Sequence, residues 1–126
     1  MQSKTIPSLA LALGALFLVA LASGDTKADA VAGRVVFEKR CTGCHALDRD
    51  KEGPRLAGVV GRKAGSVPSF HYSDAVKKAA VVWNEAALDK WLTDPDKMIP
   101  DSDMAFHLDK PDERAAIIVF LKETGK

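Results

Sequence analysis

Cys41-Thr42-Gly43-Cys44-His45 is the stretch whose reading decides the fold. Two thiols three positions apart, followed at once by an imidazole, form the attachment pattern of a c-type haem. Each cysteine sulfur can add to one vinyl group of a porphyrin, and the next residue is then carried under the ring, where a nitrogen of His45 can bind iron. Thr42 and Gly43 are small enough to let the backbone lie close to the porphyrin edge. A lone pair of cysteines at this spacing would also suit a disulfide or half of a zinc site. The adjacent histidine and the absence of any other cysteine weigh against both.

The rest of the chain is consistent with one domain built around such a group. Its 126 residues are 47% apolar and 28% charged, a globular balance. Only 6% are aromatic, so the chain has few large side chains with which to fill a core. A buried porphyrin would supply the missing apolar volume. The formal net charge is +1, and nothing resembles the strongly basic face that nucleic acid requires.

The N-terminus reads as an export signal. Lys4 supplies a positive start, Leu9 to Ala22 is an uncharged apolar run, and Ala20-Leu21-Ala22 fits small-x-small cleavage. A cleavable signal over 1–22 is expected, with a cut after Ala30 as the alternative, a linker over 23–30 and the domain proper over 31–126. The run is short of the roughly 20 residues that span a bilayer. The expected product is a periplasmic protein, with an uncleaved anchor as the competing outcome.

Helical spacing over Val31 to Arg40 puts Val31 and Val35, with Val36 and Phe37, on an inward face. Gly33 within that helix suggests a close helix crossing. Ala46 to Gly65 is rich in glycine and proline and reads as an ordered loop. Short helices are expected at Ser73–Ala79 and after Asn84, an N-cap residue with Glu85 in the first turn and Leu88, Trp91 and Leu92 on one face. Asp94-Pro95 ends that helix, and Met98 to His107 is a loop. Pro111, Asp112 and Glu113 open a last helix, with Ile117, Phe120 and Leu121 facing inward, Lys122 near its end and Gly125 as its stop. The expected class is all-α, terminal helices packed across each other and long loops between.

These motifs recur in a family order. Cys41-Thr42-Gly43-Cys44-His45, Gly53-Pro54-x-Leu56, Gly61-Arg62-Lys63-x-Gly65, Phe70-x-Tyr72-Ser73-Asp74-Ala75, Trp83, Ile99-Pro100-x-Ser102-x-Met104-x-Phe106 and Arg114 to Leu121 follow one another. Over essentially the whole mature length the chain resembles the class I cytochromes c, close to mitochondrial cytochrome c and its soluble bacterial relatives. The resemblance implies a small cytochrome c fold with one haem c, covalent through Cys41 and Cys44. His45 and Met104 stand where the family places its two iron ligands, and Pro54 where a carbonyl orients the proximal imidazole. Arg62, Tyr72 and Trp83 match positions around a haem propionate, and Ser102 replaces a customary threonine while keeping a donor. Met98, His71 and His107 are the competing ligands by residue type alone.

The chain also departs from the mitochondrial pattern. Ala46 to Glu52 is shorter, Val76 replaces an asparagine, Trp91 replaces a tyrosine beside the distal methionine, and Asp103 replaces a lysine. The resemblance implies a non-enzymatic, monomeric one-electron carrier. Its expected partners are membrane or periplasmic redox proteins: a quinol–cytochrome c oxidoreductase, a terminal oxidase, or a dehydrogenase or reductase. The rival readings are a haem peroxidase, in which Met104 is displaced, and a tethered electron-transfer subunit of a larger oxidoreductase.

Overall fold

Gly33 and the helix crossing it permits set the frame. The structure, a computed structural model, describes residues 26–126. The expected signal segment over 1–22 lies outside the described residues. Helix α1 runs Thr26–Arg40 and helix α5 runs Pro111–Glu123, and the two pack directly on each other. A Cβ built on Gly33 would lie 2.0 Å from the Ala116 carbonyl oxygen and 2.7 Å from the Phe120 Cβ, so only glycine admits this approach. Phe37 and Phe120 meet nearby with ring centroids 5.5 Å apart. Ile117, Ile118 and Leu121 of α5 are buried, each burial being favourable by roughly 1.5–3 kcal/mol.

That crossing corrects two expectations for α1. Val31 and Val35 do not face inward; they are 62% and 58% exposed. Each is two positions from Gly33, hence about 200° round the helix from the crossing point. The buried residues of α1 are instead Ala30, Gly33 and Phe37. The helix also begins at Thr26, so residues 26–30 of the expected linker are helical. Once a helix is nucleated, each further residue adds a hydrogen bond at little cost, and this turn brings Ala30 to the core.

Between the terminal helices lie α2 (Asp74–Lys78), α3 (Glu85–Thr93) and α4 (Pro95–Met98). Ser73 caps α2 by accepting from the Val76 N–H, and Asn84 Oδ1 caps α3 by accepting from the Ala87 N–H at 2.8 Å. Leu88, Trp91 and Leu92 of α3 are buried, as the spacing predicts. Asp94 ends α3 and also starts α4, accepting from the Lys97 N–H at 3.0 Å; the sequence reading did not foresee this single turn. Arg114 Nε donates to Asp89 Oδ1 at 2.8 Å, tying α5 to α3.

Gly125 is not the stop of α5, since its backbone is not left-handed. The helix ends at Glu123 with Thr124 as its cap, whose hydroxyl donates to the Leu121 carbonyl at 2.6 Å and accepts from the Gly58 N–H at 3.2 Å. Gly125 instead permits close approach of the 46–65 loop: a Cβ there would lie 3.3 Å from the Gly58 Cα. No strand is present among the described residues; Lys63 and Val82 form only an isolated bridge. The architecture is all-α.

Candidate haem site

The turn after α1 presents the attachment residues. Cys41 and His45 donate their backbone N–H groups to the carbonyls of Phe37 and Cys41, so the turn continues the helix end in a fixed geometry. Cys41 is half-buried, whereas Cys44 is exposed. Burial, with a smaller contribution from Cys44, pushes the free Cys41 thiol up to about 11. It is therefore a neutral group suited to an apolar contact.

His45 is oriented by backbone. Its Nδ1 lies 2.8 Å from the Pro54 carbonyl oxygen, which can only accept, so Nδ1 carries the proton and Nε2 keeps its lone pair. Burial holds the imidazole below its usual pKa, against the Pro54 hydrogen bond, and the Lys51 charge adds to the lowering. The ring is thus the neutral form that ligates metals. Gly53 packs against it: a Cβ at that position would lie 2.2 Å from His45 Cε1.

All nine residues singled out in the sequence line one cavity of about 530 Å³: Cys41, Cys44, His45, Pro54, Arg62, Tyr72, Trp83, Ser102 and Met104. Such a volume is ordinary for a cofactor site. Leu56, Val59, Phe70, Val76, Leu88 and Leu92 give it an apolar wall. Arg62 is held by the Arg55 carbonyl at 2.8 Å and the Ala57 carbonyl at 3.3 Å, and burial pulls its pKa down from the usual value. Tyr72 accepts from the Val67 N–H at 3.3 Å, which leaves its own proton to donate. Ser102 Oγ is buried without a hydrogen-bond partner among the described residues.

On the distal wall, Trp91 Nε1 donates to Met104 Sδ at 3.1 Å. A thioether sulfur has two lone pairs, so one remains for a metal. Met98 is packed against the core but does not line the cavity. His71 and His107 are exposed, and neither lines it.

Sequence reasoning missed a group beside this site. Asp50, Arg55 and Ser69 join the 46–56 segment to the segment leading into Tyr72, with Ser69 Oγ donating to Asp50 Oδ2 at 2.5 Å. Nothing in local spacing marks the pair, because 19 positions separate the two residues.

The donor set fits a haem. Two thiols stand beside a neutral imidazole with Nε2 unengaged, a thioether lies in the same apolar cavity, and Arg62, Tyr72 and the orphaned Ser102 hydroxyl can meet carboxylates. Fold and site together define an all-α protein of the covalent haem type. The chain matches the family model described as Cytochrome c over residues 30–125. It is 45% identical to cytochrome c type-1 of Ascaris suum over 101 residues, covering 78% of this chain and 90% of the relative. It is 41% identical to a cytochrome c of Sesamum indicum over 104 residues, covering 79% and 90%. The solved structure of cytochrome cH from Methylobacterium extorquens matches with a TM-score of 0.72 and 40% identity, over 75% of this chain and 98% of that one. The chain belongs to the cytochrome c family, the class I electron carriers that bind haem c covalently.

Proposed function

We propose that this protein is a soluble, monomeric one-electron carrier of the periplasm, and that His45 and Met104 would hold the iron of its haem c. The observation that carries the reading is the hydrogen bond from His45 Nδ1 to the Pro54 carbonyl, 2.8 Å, in a cavity that also holds the Met104 thioether. The bound group supplies one-electron chemistry at iron, between the ferric and ferrous states. The chain's residues hold and tune it. Pro54 keeps the imidazole in one tautomer, and Trp91 steadies the thioether. Arg62, Tyr72, Trp83 and Ser102 surround the expected propionate end, where a buried carboxylate without donors would be costly. If both His45 and Met104 held the iron, no position would be left for substrate, so an enzyme is not expected. Thr42, Gly43 and Cys44 are exposed, which puts the attached edge at the surface for electron exchange.

Export rests on the N-terminal pattern. A cut after residue 30 would remove the first five residues of α1, including the buried Ala30, which favours cleavage after Ala22. No described helix is long and apolar enough to cross a membrane. The partners would be a quinol–cytochrome c oxidoreductase, a terminal oxidase, or a periplasmic dehydrogenase or reductase.

The oxidised visible spectrum of the exported protein tests the ligand pair. Met104→Ala should abolish the weak far-red band, keep the covalent haem and admit carbon monoxide or cyanide, whereas Met98→Ala should leave all three as in the parent. The opposite pattern would overturn the assignment.

A further inference from the structure

The peptide unit between Pro54 and Arg55 is hydrogen-bonded on both edges. Its carbonyl accepts from His45 Nδ1 at 2.8 Å, and its N–H, contributed by Arg55, donates to Asp50 Oδ1 at 2.9 Å. The peptide is trans, so C=O and N–H point to opposite sides of one conjugated plane. Asp50 is itself tied down. Ser69 Oγ donates to its other oxygen at 2.5 Å, and Arg55 Nη1 donates to Ser69 Oγ at 2.8 Å while lying 3.8 Å from Asp50 Oδ2. Arg62 Nη2 donates to the Arg55 carbonyl at 2.8 Å, which steadies the same stretch from the cavity side.

We propose that Asp50 is a positioning residue for electron transfer, acting on His45 through the Pro54–Arg55 amide as a carboxylate–amide–imidazole relay. A negative charge at the N–H edge polarises the amide and concentrates electron density on its carbonyl oxygen, since hydrogen bonds in a chain strengthen one another. The oxygen then pulls harder on the Nδ1 proton, and the ring becomes more electron-rich at Nε2. An electron-rich ligand favours ferric over ferrous iron. The inference therefore rests on His45 as a ligand, and it adds a residue that touches neither the cavity nor the imidazole.

The relay needs Asp50 ionised. The Ser69 hydroxyl holds its carboxyl below the usual carboxylate range, followed by the Arg55 N–H and the charges of Arg55 and Arg62. Among the described residues, those two guanidiniums are the charged groups that act on it, and the segment packed opposite contributes the neutral Ser69 hydroxyl. As pH falls through the carboxyl's titration the charge disappears, the carbonyl weakens as an acceptor, and the potential should rise.

The test is a spectroelectrochemical titration of the holoprotein from neutral to acid pH, joined to proton NMR of the His45 ring. Asp50→Asn keeps an acceptor for the Arg55 N–H but removes the charge. It should shift the ferric–ferrous equilibrium about threefold toward ferrous iron, ~28 mV at 59 mV per tenfold, erase the acid inflection and move the Nδ1 proton resonance. Asp48→Asn is the control: it removes the same charge from an exposed carboxylate whose partner is Arg49. If Asp50→Asn changes the potential no more than Asp48→Asn and leaves the Nδ1 resonance in place, the relay is wrong. Should Asp50→Asn not mature, Ser69→Ala keeps the charge and should move the inflection to higher pH; an unmoved inflection overturns the proposal. Ring protons of His45 that show no paramagnetic shift in the ferric protein would instead reject His45 as ligand, and the relay with it.

Discussion

The two walls of the haem cavity are held in different ways. On the proximal side, Gly53 donates to the Cys44 carbonyl, Leu56 to that of Ala46 and Ala57 to that of Leu47, all at 2.8–3.0 Å, and His45 is bonded to this same backbone. On the distal side, residues 103–107 form no backbone-to-backbone hydrogen bond among the described residues. Met104 is secured by packing and by the Trp91 N–H. The turn before it contains Asp101 with φ 63°, the one non-glycine residue in left-handed conformation among those described. A wall stitched by backbone moves as a unit, whereas a wall held by one side chain can let go alone. Cys41 and Cys44, on the stiffer side, would hold a haem covalently whatever the Met104 side does.

The largest expected effect breaks the stiff wall. Gly53→Ala would put a methyl group 2.2 Å from His45 Cε1, forcing the ring off the Pro54 carbonyl. Loss of that bond together with overpacking should cost about 2–4 kcal/mol, read as a lower denaturant midpoint for the ferric protein and a poorer yield of holoprotein. A midpoint like that of the parent would show that the proximal wall is softer than its hydrogen bonds imply.

A smaller change sharpens the contrast from the other side. Asp101 follows Pro100 in a turn closed by the Ser102 N–H on the Ile99 carbonyl, 3.2 Å, and its φ is disfavoured for any residue with a Cβ. Asp101→Gly relieves that strain, partly offset by the greater freedom of glycine in the unfolded chain, for a net gain of about 0.5 kcal/mol. The far-red band should survive to higher denaturant or higher pH than in the parent. An earlier loss would mean that the aspartate side chain itself stabilises the turn.

The smallest effect concerns the outer face of the distal wall. Asp96, Asp101 and Asp103 are exposed and form no ion pair among the described residues, and Asp103 lies on the cavity rim beside Met104. Complementary charge acts mainly on the association rate, and salt weakens it over about 8 Å at physiological strength. Asp96→Lys with Asp103→Lys should therefore speed reaction with an oxidase that presents an acidic patch by several-fold at low salt, and slow transfer to the native partner. Stopped-flow rates that ignore both the charge reversal and the ionic strength would leave these aspartates as solvated surface only.

Much of the site was legible because its chemistry is written in short intervals. Cys41, Cys44 and His45 lie within five positions, so a single turn carries them to one place whatever the remainder of the chain does. The cap of α3 was equally local: Asn84 acts within three residues of itself. Arg62, Tyr72, Ser102 and Met104 were placed by resemblance, not by spacing, since no periodicity connects loops so far apart.

Tertiary structure decided what depends on two distant segments meeting. Val31 and Val35 lost the inward face of α1 because a close helix crossing is set by the smallest residue, Gly33, and not by the most apolar ones. The end of α5 fell to Thr124, which could also reach Gly58 across 66 positions. Asp50 reads in the sequence as one charge among many between His45 and Pro54. It comes within one peptide unit of His45 only when Ser69 and the Arg55 N–H close on it, because a hydrogen bond is set by distance in space. The sequence by itself determined the cofactor and its covalent attachment, through bonds made within one turn; the tertiary structure alone decided the hydrogen bonds around that site, through contacts that exist only once the chain has folded.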